Sequence, residues 1–258
     1  MRLSFSTASL FPRDTIDSLK LIEIVGFQYA ELMPQCFKET KPDFAKKLSR
    51  EINIKVSSIH FPLIYFSVFY NPYPGILSEA RNMVNDLTAM ADILESEIIV
   101  IHPPYFNDEV IESVFYDPVI ENMRYLCERS KEYGIKVALE NSPKGGRTPE
   151  EMLEIIDKIG HENLFPMVDT TEAVESGQDP IEMIKALEIV HIHASDHKEG
   201  KKHVPPGEGS LNWGEIVSML REKNFSGLFT VEPSYRYFLK DPVERMRSTL
   251  RFLERLLR

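Results

Sequence analysis

The chain has 258 residues, of which 43% are hydrophobic, and a formal net charge of −10. This length suits one large core or one α/β barrel, so we expect residues 1–258 to form a single domain. The net negative charge gives no sign of a basic surface that would bind nucleic acid. No apolar run approaches the roughly 20 residues that span a bilayer. The N-terminus lacks the layout of a signal peptide, and the two distant cysteines, Cys36 and Cys127, form no disulfide framework. A reduced, cytoplasmic setting is therefore expected.

The first half of the chain alternates short apolar runs with amphipathic runs. Strands are predicted over Arg2–Thr7, Phe27–Leu32, Ile54–His60 and Glu97–His102. Helices are predicted over Asp14–Ile24, Pro42–Ile52 and Leu77–Leu94. A loop rich in aromatic residues and proline, residues 61–75, follows the third strand. We interpret its aromatic side chains as packing, with a roof over a small-molecule pocket as the alternative.

The second half repeats this rhythm. Strands are predicted over Ile135–Leu139, Leu164–Val168, Ile189–His193 and Gly227–Val231. Prolines that follow capping residues predict helices that begin directly after Asp117, Thr148, Asp179 and Asp241. A further helix is predicted over Asn212–Lys223.

Strict alternation of strands and helices predicts parallel strands joined by helical crossovers. Eight such units in this length fit a single (β/α)8 TIM barrel of the α/β class. An open, doubly wound sheet is the runner-up. The chain has no GxGxxG after the first strand and no P-loop, so the nucleotide-binding version of that sheet lacks its signature.

Ionisable residues stand at the ends of seven of the eight predicted strands. They are Glu31, His60, His102, Glu140, Asp169, His193 and Glu232. With 40 acidic residues and seven histidines in the chain, chance would place only about one or two at eight single positions. In a barrel, the carboxyl ends of all strands meet at one mouth. Converging carboxylates repel one another unless a cation offsets them, and Asp, Glu and His together suit a divalent metal ion.

The individual residues differ in how strongly they indicate a ligand. Glu140, Asp169, His193 and Glu232 end four successive strands, which favours metal ligation for all four. Taken singly, His60 and His102 are each typical of a strand-end histidine whose ring nitrogens are satisfied by hydrogen bonds. Taken together on adjacent strands, they are compatible with metal ligands. Glu31 is interpreted as a structural or substrate-binding residue, His191 as core, and the charged run from Lys198 to Lys202 as a solvated loop.

These residues carry a resemblance to a known superfamily. The strand-end set Glu140, Asp169, His193 and Glu232, with His193-x-x-Asp196 and the downstream Gly207-Glu208-Gly209, resembles the xylose isomerase-like TIM barrels. That group contains sugar epimerases and isomerases, inosose dehydratases and endonuclease IV enzymes. In its epimerase-like members the four residues bind one divalent ion, so the resemblance implies Mn, Zn, Mg or Co here. It also implies Glu140 and Glu232 as the catalytic acid and base.

Endonuclease IV is the sharper comparison, because its zinc site also uses histidines that match His60 and His102. It also has an Asp-x-x-His on the sixth strand and an Asp-x-His after the seventh, where this chain has Asp169-x-x-Glu172 and Lys201-x-His203. Two of the three ligands of the third zinc are thus altered. Lysine cannot replace a carboxylate ligand unless it is deprotonated. A full three-zinc site is therefore not expected, and Glu172 and His203, like His60 and His102, are predicted to contact substrate.

Three functions follow from the resemblance. The first is a metal-dependent isomerase or epimerase of a sugar or sugar phosphate, which moves a proton next to a carbonyl. The second is a zinc phosphodiesterase acting on abasic DNA, and the third is a non-catalytic metal-binding barrel. We favour the first function, with a small-molecule sugar as the partner. We expect no membrane association, and binding of nucleic acid is disfavoured. Whether the chain forms a homo-oligomer is left open.

Overall fold

A computed structural model describes the backbone of residues 1–105 and 109–258, and the side chains outside residues 106–114. The strands are β1 Arg2–Ser6, β2 Tyr29–Leu32, β3 Lys55–His60, β4 Ile98–Ile101, β5 Lys136–Leu139, β6 Leu164–Pro166, β7 Val168–Asp169, β8 His191–Ala194, β9 Asp196–Lys198, β10 Lys201–Val204 and β11 Leu228–Val231. The helices are α1 Thr15–Val25, α2 Pro42–Glu51, α3 Phe66–Phe69, α4 Pro74–Ile93, α5 Glu109–Glu132, α6 Pro149–Ile159, α7 Thr170–Glu175, α8 Pro180–Ala186, α9 Trp213–Glu222 and α10 Pro242–Leu257. Together they form a (β/α)8 barrel, which confirms the predicted fold class.

The barrel strands are parallel and run in the order β6-β5-β4-β3-β2-β1-β11-β8-β7. The two end segments, β6 and β7, belong to the one predicted sixth strand and are separated by Met167. The Met167 backbone N–H still donates to the Leu139 carbonyl of β5 at 3.0 Å. The two ends of the strand order, β6 and β7, are therefore joined by the covalent chain at residues 166–168, which closes the ring of strands.

Apolar side chains lie on both faces of the barrel strands, as expected for a parallel sheet that is covered by helices. The larger core cluster lies between the sheet and the helices and includes Leu19, Leu87 and Leu220. A smaller cluster contains Val100, Ala138 and Met167, among others. These residues precede His102, Glu140 and Asp169 by two positions, and side chains two apart share one face of a strand. The smaller cluster is thus an apolar plug inside the barrel, beneath the predicted site.

The proline-initiated helices are confirmed at three of the four predicted positions. Thr148 caps α6 and Asp179 caps α8 through their side chains, and α10 begins at Pro242. The fourth prediction is wrong, because α5 begins at Glu109 and contains Pro118 in its interior.

Two other differences from the predicted elements concern loops. The predicted loop before α4 contains two short helical elements, a 3₁₀ turn over Leu63–Tyr65 and helix α3. Less of this segment is irregular than predicted. The run Lys198–Lys202 is exposed to solvent, as predicted, but it forms the turn end of an antiparallel ribbon of β9 and β10 rather than an irregular loop. Among the described residues, no helix is long and apolar enough to cross a membrane.

Candidate metal centre

The structure brings the strand-end residues together inside the barrel mouth. Three overlapping groups have potential ligand atoms within 4.8 Å of one another. The groups are Glu140, Asp169, His193 and Glu232; His60, His102 and Glu140; and Glu31, His191 and His193. Glu140 belongs to two groups and His193 to two, so the three groups form one continuous cluster.

The first group is centred on His193, which is fully buried. Its Nδ1 lies 2.9 Å from Glu140 Oε1 and 2.9 Å from Glu232 Oε2. Asp169 uses Oδ1 to accept the backbone N–H groups of Thr171 and Glu172, at 2.7 and 2.8 Å, and so caps α7. This cap fixes the Asp169 carboxylate at the mouth.

Two buried carboxylate oxygens in this group have no hydrogen-bond donor among the described residues. They are Asp169 Oδ2 and Glu140 Oε2. Burying such an oxygen without a donor or a cation is costly. The donor set fits a divalent metal ion, since such an ion would satisfy both oxygens and offset the clustered negative charge.

The pKa values of the carboxylates also reflect the close packing of charged groups in this cluster. Burial, together with the nearby Glu140 and Glu172 carboxylates, raises the pKa of Asp169 to about 7. Burial also acts to raise the pKa of Glu140, but the surrounding His193, His102 and His60 outweigh it and lower that pKa well below its usual value. Glu140 therefore remains an anion at neutral pH, as a metal ligand or a base must be.

The second group joins His60 and His102 to the other oxygen of Glu140. Glu140 Oε2 lies 3.4 Å from His60 Nε2 and 3.2 Å from His102 Nε2. His60 Nδ1 lies 2.9 Å from the Phe61 carbonyl oxygen, to which only an N–H can donate. In the neutral ring this contact places the proton on Nδ1 and leaves the Nε2 lone pair available to a metal ion.

Glu31 lies deeper than the mouth and contacts the histidines of β8. Its Oε1 is 3.0 Å from His193 Nε2, and its Oε2 is 2.9 Å from His191 Nε2. Ser58 Oγ donates to the same Oε2 at 2.8 Å. His191 is buried, in agreement with the core interpretation, but its Nε2 also lies close to the Glu31 carboxylate, a contact that the sequence did not reveal.

Glu172 and His203 face the mouth from α7 and from the β9–β10 ribbon. His203 Nε2 and Lys202 Nζ both contact Glu172 Oε1, at 2.9 and 3.0 Å. An internal cation thus already neutralises Glu172, in the region where the resemblance to endonuclease IV places a third zinc. The Glu172 contact raises the pKa of His203 to about 9, against the opposing effect of burial.

Sequence reasoning missed three polar residues that hold these groups in place. Ser6 Oγ donates to Glu232 Oε1 at 2.8 Å, and Ser58 donates to Glu31. Asn141 receives the Asp169 N–H at 2.7 Å and donates to the Asp169 carbonyl at 3.2 Å. Ser6 ends β1, the one predicted strand that has no ionisable residue at its end. Its position at the barrel mouth was the only feature of the sequence that could have indicated a role.

A cavity of about 420 Å³ opens above the cluster. His60, His102, Glu140, Glu172, His203 and Glu232 form its polar floor and side. Its remaining lining is largely apolar and includes Phe11, Leu63 and Tyr235. The six predicted site residues on this wall therefore face a space large enough for a small molecule.

Comparison with known proteins gives a family and several relatives. An uncharacterized protein of Methanocaldococcus jannaschii is 32% identical over 163 residues, which are 58% of this chain and 55% of that relative; the matched part is thus about half of its length. The inosose isomerase of Halalkalibacterium halodurans is 24% identical over 250 residues, covering 90% of this chain and 87% of that enzyme.

Solved structures show the same fold. A D-tagatose 3-epimerase-like protein superposes with a TM-score of 0.81 at 24% identity, over 100% of this chain and 97% of that one. The IolI protein with a bound zinc atom superposes with a TM-score of 0.77 at 20% identity, over 100% of this chain and 98% of that one. The sequence profile of the xylose isomerase-like TIM barrels matches residues 19–256. The chain therefore belongs to the xylose isomerase-like TIM-barrel family.

Proposed function

We propose that the chain is a divalent-metal-dependent isomerase or epimerase that moves a proton next to the carbonyl group of an uncharged sugar. One observation carries this proposal. The buried Glu140 and the partly buried Glu232 meet a buried histidine and a buried aspartate at the floor of a cavity of about 420 Å³. The inosose isomerase and the epimerase-like structure support sugar chemistry in this fold.

The proposed metal ligands are Glu140, Asp169, His193 and Glu232. The oxygen and nitrogen donors suit Mn, Zn, Mg or Co, and the zinc in the IolI structure supports a metal ion in this fold. When bound, the ion supplies Lewis-acid polarisation of the substrate carbonyl. We further propose that His60 and His102 hold a second ion or contact the substrate, because Glu140 Oε2 faces both of them.

The chain's own residues would carry the proton. Glu140 and Glu232 directly follow the non-adjacent strands β5 and β11, and both line the cavity. Burial acts to raise the pKa of Glu232, but His193 outweighs it and lowers that pKa, so this carboxylate, like Glu140, is charged and able to accept a proton. One glutamate would remove a proton from the substrate carbon and the other would deliver one, while Ser6 holds Glu232 in place.

The cavity lining favours a sugar without phosphate. Among the described lining residues there is no Lys or Arg, and residues 106–114, Phe-Asn-Asp-Glu-Val-Ile-Glu-Ser-Val, contain none either. The nearby Lys202 is held by Glu172. Phosphate sites in proteins normally offer Arg, Lys or a helix N-terminus. The apolar wall at Phe11 and Tyr235 instead suits the C–H face of a sugar.

Solvent exchange tests the proposal directly. The metal-loaded protein is incubated in deuterium oxide with a panel of ketoses and inososes, and with their phosphorylated counterparts. We expect deuterium to enter the carbon next to the carbonyl in at least one uncharged sugar. Exchange confined to the phosphorylated sugars would contradict the uncharged substrate, and absence of exchange from the whole panel would contradict the function.

Glutamine variants test the two proton carriers. Glutamine keeps the shape of glutamate but exchanges no proton at neutral pH. We expect E140Q and E232Q each to lower turnover by at least about a hundredfold with a smaller effect on KM. The matched control is E175Q, because Glu175 pairs with His197 and lies outside the cavity lining. Near-normal turnover in either active-site variant would remove that glutamate from the mechanism.

The endonuclease alternative rests on the His60, His102 and Glu140 group. It predicts cleavage of a duplex that contains an abasic site, with loss of cleavage in H60Q and H102Q. The pairing of Glu172 with Lys202 and His203 disfavours it, because an ammonium group stands near the expected third zinc. Abasic-site cleavage at enzyme-like rates without carbon-bound exchange would establish the alternative, and silence in both assays would favour the non-catalytic barrel.

A further inference from the structure

Glu31 is a buried carboxylate for which the proposed reaction has no direct use. Its side chain is fully buried, and it does not line the cavity at the mouth. Both of its oxygens nevertheless have specific neighbours, namely His193, His191 and Ser58. A buried anion placed at this cost needs a reason in the structure.

His193 lies between Glu31 and the proposed metal ligands. Its Nε2 is 3.0 Å from Glu31 Oε1, and its Nδ1 is 2.9 Å from both Glu140 and Glu232. Its ring stacks on the His60 ring, with centroids 5.9 Å apart and planes 20° apart, and meets the His191 ring edge-on at 5.1 Å. The ring plane is thus fixed by its neighbours, and only the position of the proton remains to be set.

We infer that Glu31 is a positioning residue that keeps the His193 proton on Nε2 and thereby presents the Nδ1 lone pair to the metal ion. This inference rests on the metal ion of the proposed function. A neutral imidazole carries one N–H. With the proton on Nδ1, the ring would offer no ligand to an ion held by Glu140, Asp169 and Glu232, and its bare Nε2 would lie beside the Glu31 carboxylate. With the proton on Nε2, the N–H lies beside the Glu31 carboxylate in a close electrostatic contact that is not an aligned hydrogen bond, and Nδ1 is free to bind.

Ser58 holds Glu31 by a hydrogen bond, and the His191 ring lies against the same carboxylate oxygen. Ser58 Oγ donates to Oε2 at 2.8 Å, and His191 Nε2 lies 2.9 Å from the same oxygen. Oε1 is therefore the oxygen left for His193. Carboxylates that orient a metal-binding histidine in this way typically contribute tenfold to a hundredfold to metal affinity.

Glu31 could instead bind a metal ion itself, together with His191 and His193, because their ligand atoms also lie within 4.8 Å of one another. The contacts favour the positioning role. Ser58 already donates to one Glu31 oxygen, and the three residues are fully buried beneath the mouth. The two roles predict different metal stoichiometries, so the experiment separates them.

The first measurement uses the wild-type chain with 15N-labelled histidine, saturated with Zn²⁺. Long-range 1H–15N spectra report which ring nitrogen carries the proton, and the H193Q variant assigns the His193 signals. We expect the proton on Nε2 of His193. A proton on Nδ1 in the zinc-loaded chain would overturn the inference, and this measurement does not depend on whether any Glu31 variant folds.

The second measurement compares Zn²⁺ affinity and stoichiometry among variants, by competition with a chromophoric chelator. E31Q keeps an oxygen acceptor, and we expect its Kd to rise by no more than about tenfold. E31L removes the acceptor, and we expect a rise of roughly tenfold to a hundredfold that exceeds the effect in E31Q. S57A is the matched control, since Ser57 is the neighbouring buried serine of β3 and its Oγ forms no hydrogen bond to any described residue, and a rise within about threefold is expected.

Three results would contradict the positioning role. E31L could bind Zn²⁺ as tightly as the wild type, or E31Q could lose one whole bound ion per chain, which would make Glu31 a ligand. A wild-type chain that binds no Zn²⁺ would overturn this inference together with the metal ion of the proposed function. Intact Zn²⁺ binding with no sugar exchange would contradict the proposed function alone.

Discussion

Asp196 organises the loop that follows β8 through a single buried carboxylate. Its two oxygens accept hydrogen bonds from the backbone N–H groups of His197, Gly207, Gly209 and Leu211 and from the indole N–H of Trp213. The motif His193-x-x-Asp196 with Gly207-Glu208-Gly209 therefore has a structural explanation here. The aspartate draws the glycine loop against the end of β8, beside the proposed metal ligand His193.

Gly209 is required by this close approach. A Cβ atom at residue 209 would lie 2.2 Å from Asp196 Oδ1 and 2.6 Å from the His197 carbonyl oxygen. We expect G209A to lower the free energy of unfolding by about 1–3 kcal/mol, measured by urea denaturation, because backbone as well as side chain must move. G214A is the matched control. Its Cβ would meet nothing closer than 3.4 Å within α9, so stability equal to or above the wild type is expected. Equal stabilities for G209A and the wild type would contradict this account.

At the residue scale, the strand-end rule predicted which ionisable residues the structure brings together, but not the polar residues that hold them in place. Seven ionisable strand ends were predictable because barrel strands all deliver their last residues to one mouth. Ser6 and Ser58 carry no such signal, since a serine in a strand is equally compatible with packing. The pairing of Glu31 with His191 and His193 depends on the register between non-consecutive strands, which no local pattern encodes.

At the element scale, most boundaries followed from local chemistry, and Pro118 is the exception. A proline inside a helix removes one hydrogen bond and costs about 3 kcal/mol. The helix continues past Pro118 with Val119, Ile120 and Met123 buried on its inner face. Packing of this face outweighs the local cost, so the cap-proline signal at Asp117 was misleading. The three confirmed cap-proline starts carry no such conflict.

One glutamate bridges three strands at the end of the barrel opposite the mouth. Glu97, which precedes β4, accepts two bonds from the Arg2 guanidinium of β1, both at 2.7 Å, and one from Lys55 of β3 at 3.0 Å. The Arg2 hydrogen bond is the main cause that lowers the pKa of Glu97 to about 2. Three strands are thus linked through one carboxylate.

This linkage makes a pH-dependent contribution to stability. A lowered pKa in the folded state means that the contribution is present above the usual glutamate value of 4.5 and is lost as the pH falls toward 2. We expect E97Q to be less stable than the wild type at pH 7, by an amount reduced by solvent exposure of the pair. The difference should shrink when both are measured by urea denaturation at pH 3. The exposed Glu154 provides the control E154Q, for which a near-zero difference at both pH values is expected. A difference for E97Q that grows at low pH would refute the assignment.

At the scale of the whole molecule, the closed ring makes every strand depend on two neighbours. The β1 strand pairs with β2 and β11, and the two halves of the sixth strand pair with β5 and β8. We therefore propose that residues 1–258 unfold as one domain. Calorimetry should give a single cooperative transition, and two separate transitions would contradict a single domain. The strict alternation of elements made this ring predictable, whereas its closure through Met167 was not, because it depends on a break inside one strand.

The proposed metal centre should stabilise the whole ring, because its ligands come from β5, β7, β8 and the end of β11. A ligand at about a hundred times its Kd stabilises the state that binds it by about 2.7 kcal/mol, which for a chain of this size raises Tm by roughly 5–10 °C. We expect Mn²⁺, Zn²⁺ or Co²⁺ to produce such a rise in the chelator-treated wild type, and H193A to lose it. The matched control is H197Q, because His197 pairs with Glu175 and belongs to none of the three ligand groups. It should keep the full rise. Equal rises in H193A and the wild type would place the stabilising ion elsewhere and exclude His193 as a ligand.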